Sequence, residues 1–189
     1  MKLSTLLLCG IVFLSAVSSL TAGDVILYGG IQKPGKLAFT SATTIPSNLL
    51  NGDFGGTLGA RFSGGRIVGF EQNISFSPRY AKPGVKAFQM DSNLLVQAPG
   101  KIVPYATAGI GFVRTWGKDL PSIQDPAQIV AFAFSFGTKF SVNYGGGIKV
   151  RRILGPLGFN VDLRGYTVPN VFNENLNFIQ TSFGAVLTW

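Results

Sequence analysis

The chain reads as all-β, a closed antiparallel eight-stranded up-and-down barrel that crosses a membrane, and three observations predict it. The first is the ending. From Asn177 to Trp189 polarity alternates and stops on an aromatic: Ile179, Phe183, Ala185, Leu187 and Trp189 share one parity with Thr181, while Gln180, Ser182, Gly184 and Thr188 share the other. In a strand the two parities face opposite sides. A terminal strand must not leave its edge bare, and barrel closure is the surest way to pair it. The second observation is that six further segments separate their charged residues from their aliphatic and aromatic ones by parity. The third is that the connections between strands alternate long and short, as when short turns lie in the periplasm and longer loops face outside.

The elements follow in order. Strand 1 falls near Asp24 to Gln32, although Val25 to Tyr28 is apolar on both parities, and a long polar segment from Lys33 to Phe54 follows it. Strand 2, Gly55 to Ser63, turns at Gly64-Gly65 into strand 3, Arg66 to Pro78. Leu58, Ala60 and Phe62 oppose Arg61 and Ser63 in the first; Val68, Phe70, Ile74 and Phe76 oppose Glu71, Asn73 and Ser75 in the second. A medium loop from Arg79 to Gly84 leads to strand 4, Val85 to Gln97, where Phe88, Met90, Leu94 and Val96 face away from Gln89, Asp91 and Asn93. Pro99-Gly100 turns the chain into strand 5, Ile102 to Arg114, with Ala106, Ala108, Ile110 and Phe112 opposite Tyr105 and Thr107. A long connection precedes strand 6, Thr138 to Arg152, which sets Val142, Tyr144, Ile148 and Val150 against Asn143 and Lys149. Gly155-Pro156 then turns into strand 7, Leu157 to Tyr166, where Phe159, Val161 and Leu163 oppose Asn160, Asp162 and Arg164. Val168 to Asn177 is read as the last loop. Glycine and proline sit where each tight reversal needs them.

Parity alone does not say which face is the inside. A soluble ligand-binding barrel would turn its apolar parity inward around a cavity. However, Glu71, Asp91, Lys149, Asp162 and Arg164 lie mid-strand, and charged residues make up only 13% of the chain. A water-soluble wall would carry far more charge, so the charged parity is assigned to the lumen.

The N-terminus agrees with export. Met1-Lys2 begins positive, Leu6 to Leu14 is apolar, and Ser15 to Gly23 is rich in small residues, so residues 1–22 are expected to be a cleaved signal peptide and 23–189 the barrel domain. Cys9, the single cysteine, lies within that signal, and no disulfide is expected in the mature domain. The net charge of +8 is spread among loops and strand ends. For an exported chain, nucleic acid is not the expected partner; a phosphate-rich lipid surface including lipopolysaccharide fits better, with ordinary loop solvation the competing explanation.

Four segments carry a family resemblance: Val103 to Arg114, Phe140 to Val150, Gly158 to Tyr166, and Phe183 to Trp189. Together they resemble the small eight-stranded outer-membrane barrels of Gram-negative bacteria, the opacity-protein and OmpA-type transmembrane family. The resemblance covers essentially the whole mature chain and implies a location in the outer membrane. It also implies that Phe183, Leu187 and Trp189 act as an insertion signal for the barrel-assembly machinery. It says little about activity, since such families include adhesins and membrane–wall links.

The chemistry for catalysis is thin. The chain has no histidine, and a serine or aspartate without a neighbouring base is a weak catalyst. No enzyme activity, cofactor or metal is expected. Gly145-Gly-Gly147 lies inside a strand rather than before a helix, so close inward packing explains it better than a phosphate loop. The six lumen charges balance, with Arg61, Lys149 and Arg164 against Glu71, Asp91 and Asp162. A two-residue turn at Gly155-Pro156 would pair Lys149 with Asp162, and a turn centred on Gly65 would make Arg61 and Glu71 diagonal neighbours. Buried charges are costly unless paired, so a network plugging the lumen is expected, with a small passive pore as the alternative. Gln72 and Ser92 break the pattern by falling on the lipid parity. A loop centred on Lys82 would set them opposite each other within hydrogen-bonding reach; a local bulge would instead turn one inward. Finally, Phe132, Phe134 and Phe136 in the third outer connection either reach down to the membrane interface or extend strand 6 as an edge for an external partner.

Overall fold

A computed structural model describes residues 23–34, 54–80, 85–117, 137–171 and 174–189. Eight strands alternate inside and outside: β1 Gly23–Pro34, β2 Gly55–Gly65, β3 Val68–Ser77, β4 Val85–Gln97, β5 Ile102–Gly117, β6 Gly137–Leu154, β7 Leu157–Val171 and β8 Glu174–Thr188. Each pairs antiparallel with its sequence neighbours, and β1 pairs with β8 from Asp24↔Thr188 to Pro34↔Phe178. The ring is closed, so no strand edge is left open. The expected signal segment and the phenylalanines Phe132, Phe134 and Phe136 lie outside the described residues.

The two faces separate as the parities require. Leu58, Leu94, Ile110, Tyr144, Leu163 and Phe183 are exposed on the wall, while Arg61, Glu71, Asn73, Asp91, Lys149, Asp162 and Arg164 are buried inside. A contiguous apolar exterior of this extent suits lipid, because lipid requires all backbone groups to be bonded within the protein. Strand 1 resolves its ambiguity by facing Ile26 and Tyr28 inward, where Ile26 and Tyr28 pack with Val186 of β8, and Leu27 and Ile31 outward.

Gln72 and Ser92 are directly paired on β3 and β4, as the loop centred on Lys82 predicts, and the Ser92 hydroxyl donates to Gln72 Oε1 at 2.8 Å. The Ser92 hydroxyl thereby finds its partner on the outward-facing parity.

Three connections differ from expectation. β2 runs on through Gly65, which pairs with Gly69, so the turn is centred on Ile67 and not on Gly65. Arg61 therefore faces Asn73, and Glu71 is still its diagonal neighbour, reached from the other side. The Gly155-Pro156 turn does close a two-residue hairpin, with Leu154 opposite Leu157 and Gly155 left-handed at φ 62°. However, a bulge between Val150 and Leu154 shifts everything beyond it, and Lys149 faces Asn160 while Asp162 faces Gly147. The expected Lys149–Asp162 pair is thus overturned. Lastly, β7 and β8 stay paired past the expected loop start, to Val171↔Glu174, with an irregularity between Val168 and Val171. Pro169, which has no amide proton to give the ladder, sits in that irregularity.

The apolar wall yields a direct test. Leu163 is 55% exposed on β7. Leu163→Arg should cost about 2–4 kcal/mol near the bilayer midplane. Urea unfolding in lipid vesicles measures it, and a tolerated arginine there would exchange inside and outside.

Candidate functional site: a charged network across the lumen

The lumen is narrow enough for side chains from opposite walls to meet, and its charged residues do so. Arg164 on β7 reaches β3, where Nη1 and Nη2 donate to the two Glu71 oxygens at 2.7 and 3.1 Å. The same guanidinium donates from Nε to Asp162 Oδ1 at 2.8 Å. Arg61 on β2 pairs with Asp162 at 3.0 Å, donates to Ser182 Oγ at 2.8 Å, and lies 4.0 Å from the Tyr28 ring centre. Asp162 thus binds two arginines, and the Tyr105 hydroxyl donates to it as well. These charges are fully buried. Planar guanidinium forks against carboxylates give the short, directional bonds that repay part of the desolvation.

Amides extend the network. Asn93 Nδ2 donates to Glu71 Oε1 at 3.0 Å and Asn143 Nδ2 to Asn93 Oδ1 at 2.9 Å, while the Tyr28 hydroxyl donates to Asn73 Oδ1 at 2.8 Å. Asp91 is expected to join the charge pairs but is instead held by neutral donors, Asn73 Nδ2 at 2.8 Å and Gln89 Nε2 at 3.0 Å. Space for this crossing comes from glycine. A Cβ at Gly145 would lie 2.8 Å from Arg164 Cα, and one at Gly147 would lie 2.9 Å from the Tyr105 hydroxyl, so the Gly145-Gly-Gly147 run serves inward packing.

A second cluster sits at the end that carries the short turns. Lys149 Nζ donates to Asp24 Oδ2 at 3.1 Å, to Ser63 Oγ at 3.0 Å and to Gln97 Oε1 at 3.2 Å. Arg151 donates to the same carboxylate, from Nη2 at 2.6 Å and from Nε at 3.0 Å, and the Thr188 hydroxyl adds a bond of 2.8 Å. Asp24 and Arg151 are the participants that sequence reasoning missed. With them, the buried and half-buried lumen charges named here still balance: Arg61, Lys149, Arg151 and Arg164 against Asp24, Glu71, Asp91 and Asp162. The signal for Asp24 was present, since it shares parity with the inward Gln32. The same signal was present for Arg151, which shares parity with the inward Lys149.

Toward the other end the lumen turns aromatic. Tyr166 stacks on Phe178 with centres 4.7 Å apart, and Tyr80 meets Phe178 edge-on at 5.5 Å. Of the residues expected to guide insertion, Phe183, Leu187 and Trp189 all face outward, and Trp189 is tied to the seam by its amide, which donates to Gly23 O at 3.2 Å. Among the described residues no three metal-ligating side chains cluster.

No protein-family model matches the chain, and no curated protein matches it in sequence. Solved structures do match in fold. Neisserial surface protein A has a TM-score of 0.64 and 14% identity, covering 88% of this chain and 97% of its own. The N-terminal β-barrel domain of Pseudomonas aeruginosa OprF has a TM-score of 0.54 and 10% identity, covering 90% and 98%. At such identities the likeness shows the fold, that of the small eight-stranded outer-membrane barrels.

The observed partners can be tested by a double-mutant cycle. Lys149→Met and Asp24→Asn should couple by about 1–3 kcal/mol. Lys149→Met and Asp162→Asn should couple far more weakly. Unfolding of the parent, the three single variants and the two doubles measures both cycles; the reverse ranking would restore the unshifted β6–β7 register.

Proposed function

We propose that the protein is a structural, non-enzymatic barrel of the bacterial outer membrane, with a plugged lumen and with surface contacts made through its longer connections. The observation that carries this reading is the crossing of the lumen by Arg164 and Arg61, each bonded to carboxylates on other parts of the wall. An ion would have to break these pairs or pass between the fully buried side chains. The Tyr80–Phe178–Tyr166 stack supports closure at the far end. In this orientation the chain ends and short turns are periplasmic.

The wall supports a lipid partner. Lys86 is directly opposite Trp116, and Arg114 directly opposite Phe88, on the exposed side of β4 and β5 at their far ends. Cations next to an aromatic girdle suit phosphates of the outer leaflet, such as those of lipopolysaccharide. At the periplasmic interface Trp189 completes the outward aromatic series begun by Phe183, the feature the barrel-assembly machinery is proposed to read.

Two measurements check this reading. Purified barrel in planar bilayers should show no steady conductance; a stable single-channel current would favour the small pore. Deleting Trp189 should lower the yield of heat-modifiable, membrane-inserted barrel while export across the inner membrane is unchanged. An undiminished yield would remove Trp189 from the insertion signal.

A further inference from the structure

The short-turn end of the lumen opens into a cavity of about 630 Å³, walled by the ends and turns of β2 and β4, by the bulged end of β6, and by Gly23, Thr188 and Trp189. Four of its lining side chains are basic: Arg66, Lys101, Arg151 and Arg152. Asp24 is the one acidic side chain that lines it, and its oxygens are already occupied by Lys149, Arg151 and Thr188. Lys149 bonds the same carboxylate, so five cations stand at this end against one acidic side chain, two of them bonded to it. An α-carboxylate at Trp189, counted as well, still leaves the cations in excess. Cations crowded this way repel one another unless an anion joins them.

The backbone has been bent to build this arrangement. Arg151 and Arg152 are consecutive, and in a regular strand they would face opposite sides. Both line the cavity because the bulge between Val150 and Leu154 interrupts the alternation. Arg152 is the only non-glycine described with a positive φ, at 54°. A left-handed arginine is strained, and its persistence requires the surroundings to hold it. The Arg151 amide does so in part, donating to Lys101 O at 2.8 Å and drawing the bulge against the β4–β5 turn. The strained residue itself, Arg152, makes none of the lumen bonds described above, which at this end belong to Arg151 and Lys149.

We infer that this mouth is a binding site for a phosphate group bearing more than one negative charge, held by Arg152, Lys101 and Arg66 with Arg151 behind them. Guanidinium forks match phosphate oxygens, and the surplus of positive charge suits a doubly charged group better than a single carboxylate. The cavity is larger than one phosphate, so the group is carried on a larger molecule, either a phospholipid headgroup or a soluble phosphate ester. The site goes beyond the structural role proposed above and does not depend on whether the lumen conducts.

The test is calorimetric titration of the folded barrel, residues 23–189, in zwitterionic detergent at low salt, with pyrophosphate as the probe. Saturable binding is expected, weakened at least tenfold by Lys101→Gln and by Arg152→Gly. The glycine variant removes the charge while relieving the left-handed strain, so it should remain folded by heat-modifiable migration. Lys33→Gln, at the other end of the barrel, should bind as the parent does. No binding by the parent, or equal binding by the folded Lys101→Gln and Arg152→Gly variants, would overturn the assignment. Native mass spectrometry from micelles containing phosphatidylglycerol separates the sources. One lipid retained by the parent and lost from Arg152→Gly identifies a headgroup; pyrophosphate binding with no retained lipid identifies a soluble phosphate ester.

Discussion

Arg164 stands where the structure has least freedom. It leaves β7, crosses a lumen only wide enough for side chains, and is held by Glu71 on β3 and by Asp162 on its own strand. Strands β3 and β7 lie opposite each other in the ring, so this one side chain ties the two sides of the barrel together. Its charge is fully buried, and removing either carboxylate would leave the buried charges out of balance. The rest of the lumen is arranged around that requirement. Asp162 takes a second arginine, Arg61, Glu71 takes an amide from Asn93, and Gly145 and Gly147 give the crossing side chains room.

The exterior obeys the complementary rule. Its backbone groups are consumed by the closed ladder, including the β1–β8 seam, so the wall can present Leu, Ile, Val and Phe to lipid without unsatisfied groups. Where a polar pair does fall on that wall, as at Gln72 and Ser92, the two groups bond to each other. Inside and outside thus solve the same problem: a polar group away from water needs a partner. Inside, the answer is a network of ion pairs and amides that spans the lumen. Outside, it is closure plus local pairs such as Ser92 with Gln72 and Thr167 with Asn177.

The two ends of the lumen are built from different chemistry. One is lined by the aromatic packing of Tyr80, Phe178 and Tyr166; the other is basic, organised on Asp24, and shaped by the bulge in β6. That difference makes the barrel polar along its axis even though its strands simply run up and down. It places a strained arginine, Arg152, at the short-turn end. A regular hairpin there would avoid the strain that the bulge places on Arg152.

What the sequence determined by itself was the fold and the allocation of side chains to faces. Alternation has period two, so Leu163 and Arg164 go to opposite sides wherever the strand begins, and the inward set of Arg61, Glu71, Asp91, Lys149, Asp162 and Arg164 was legible without coordinates. What only the tertiary structure decided was which of them meet. The β2–β3 turn is displaced by an even number of residues, and the β6 bulge shifts its register by two, so faces survive and partners change: Lys149 leaves Asp162 for Asp24, and Asp162 goes to Arg61 and Arg164. Such pairs join strands remote in sequence, Asp24 with Lys149 and Glu71 with Arg164, and they form only because the ring closes and brings β1 and β3 within reach of β6 and β7. A local pattern encodes direction from the backbone; distance across a closed barrel depends on every register in the ring.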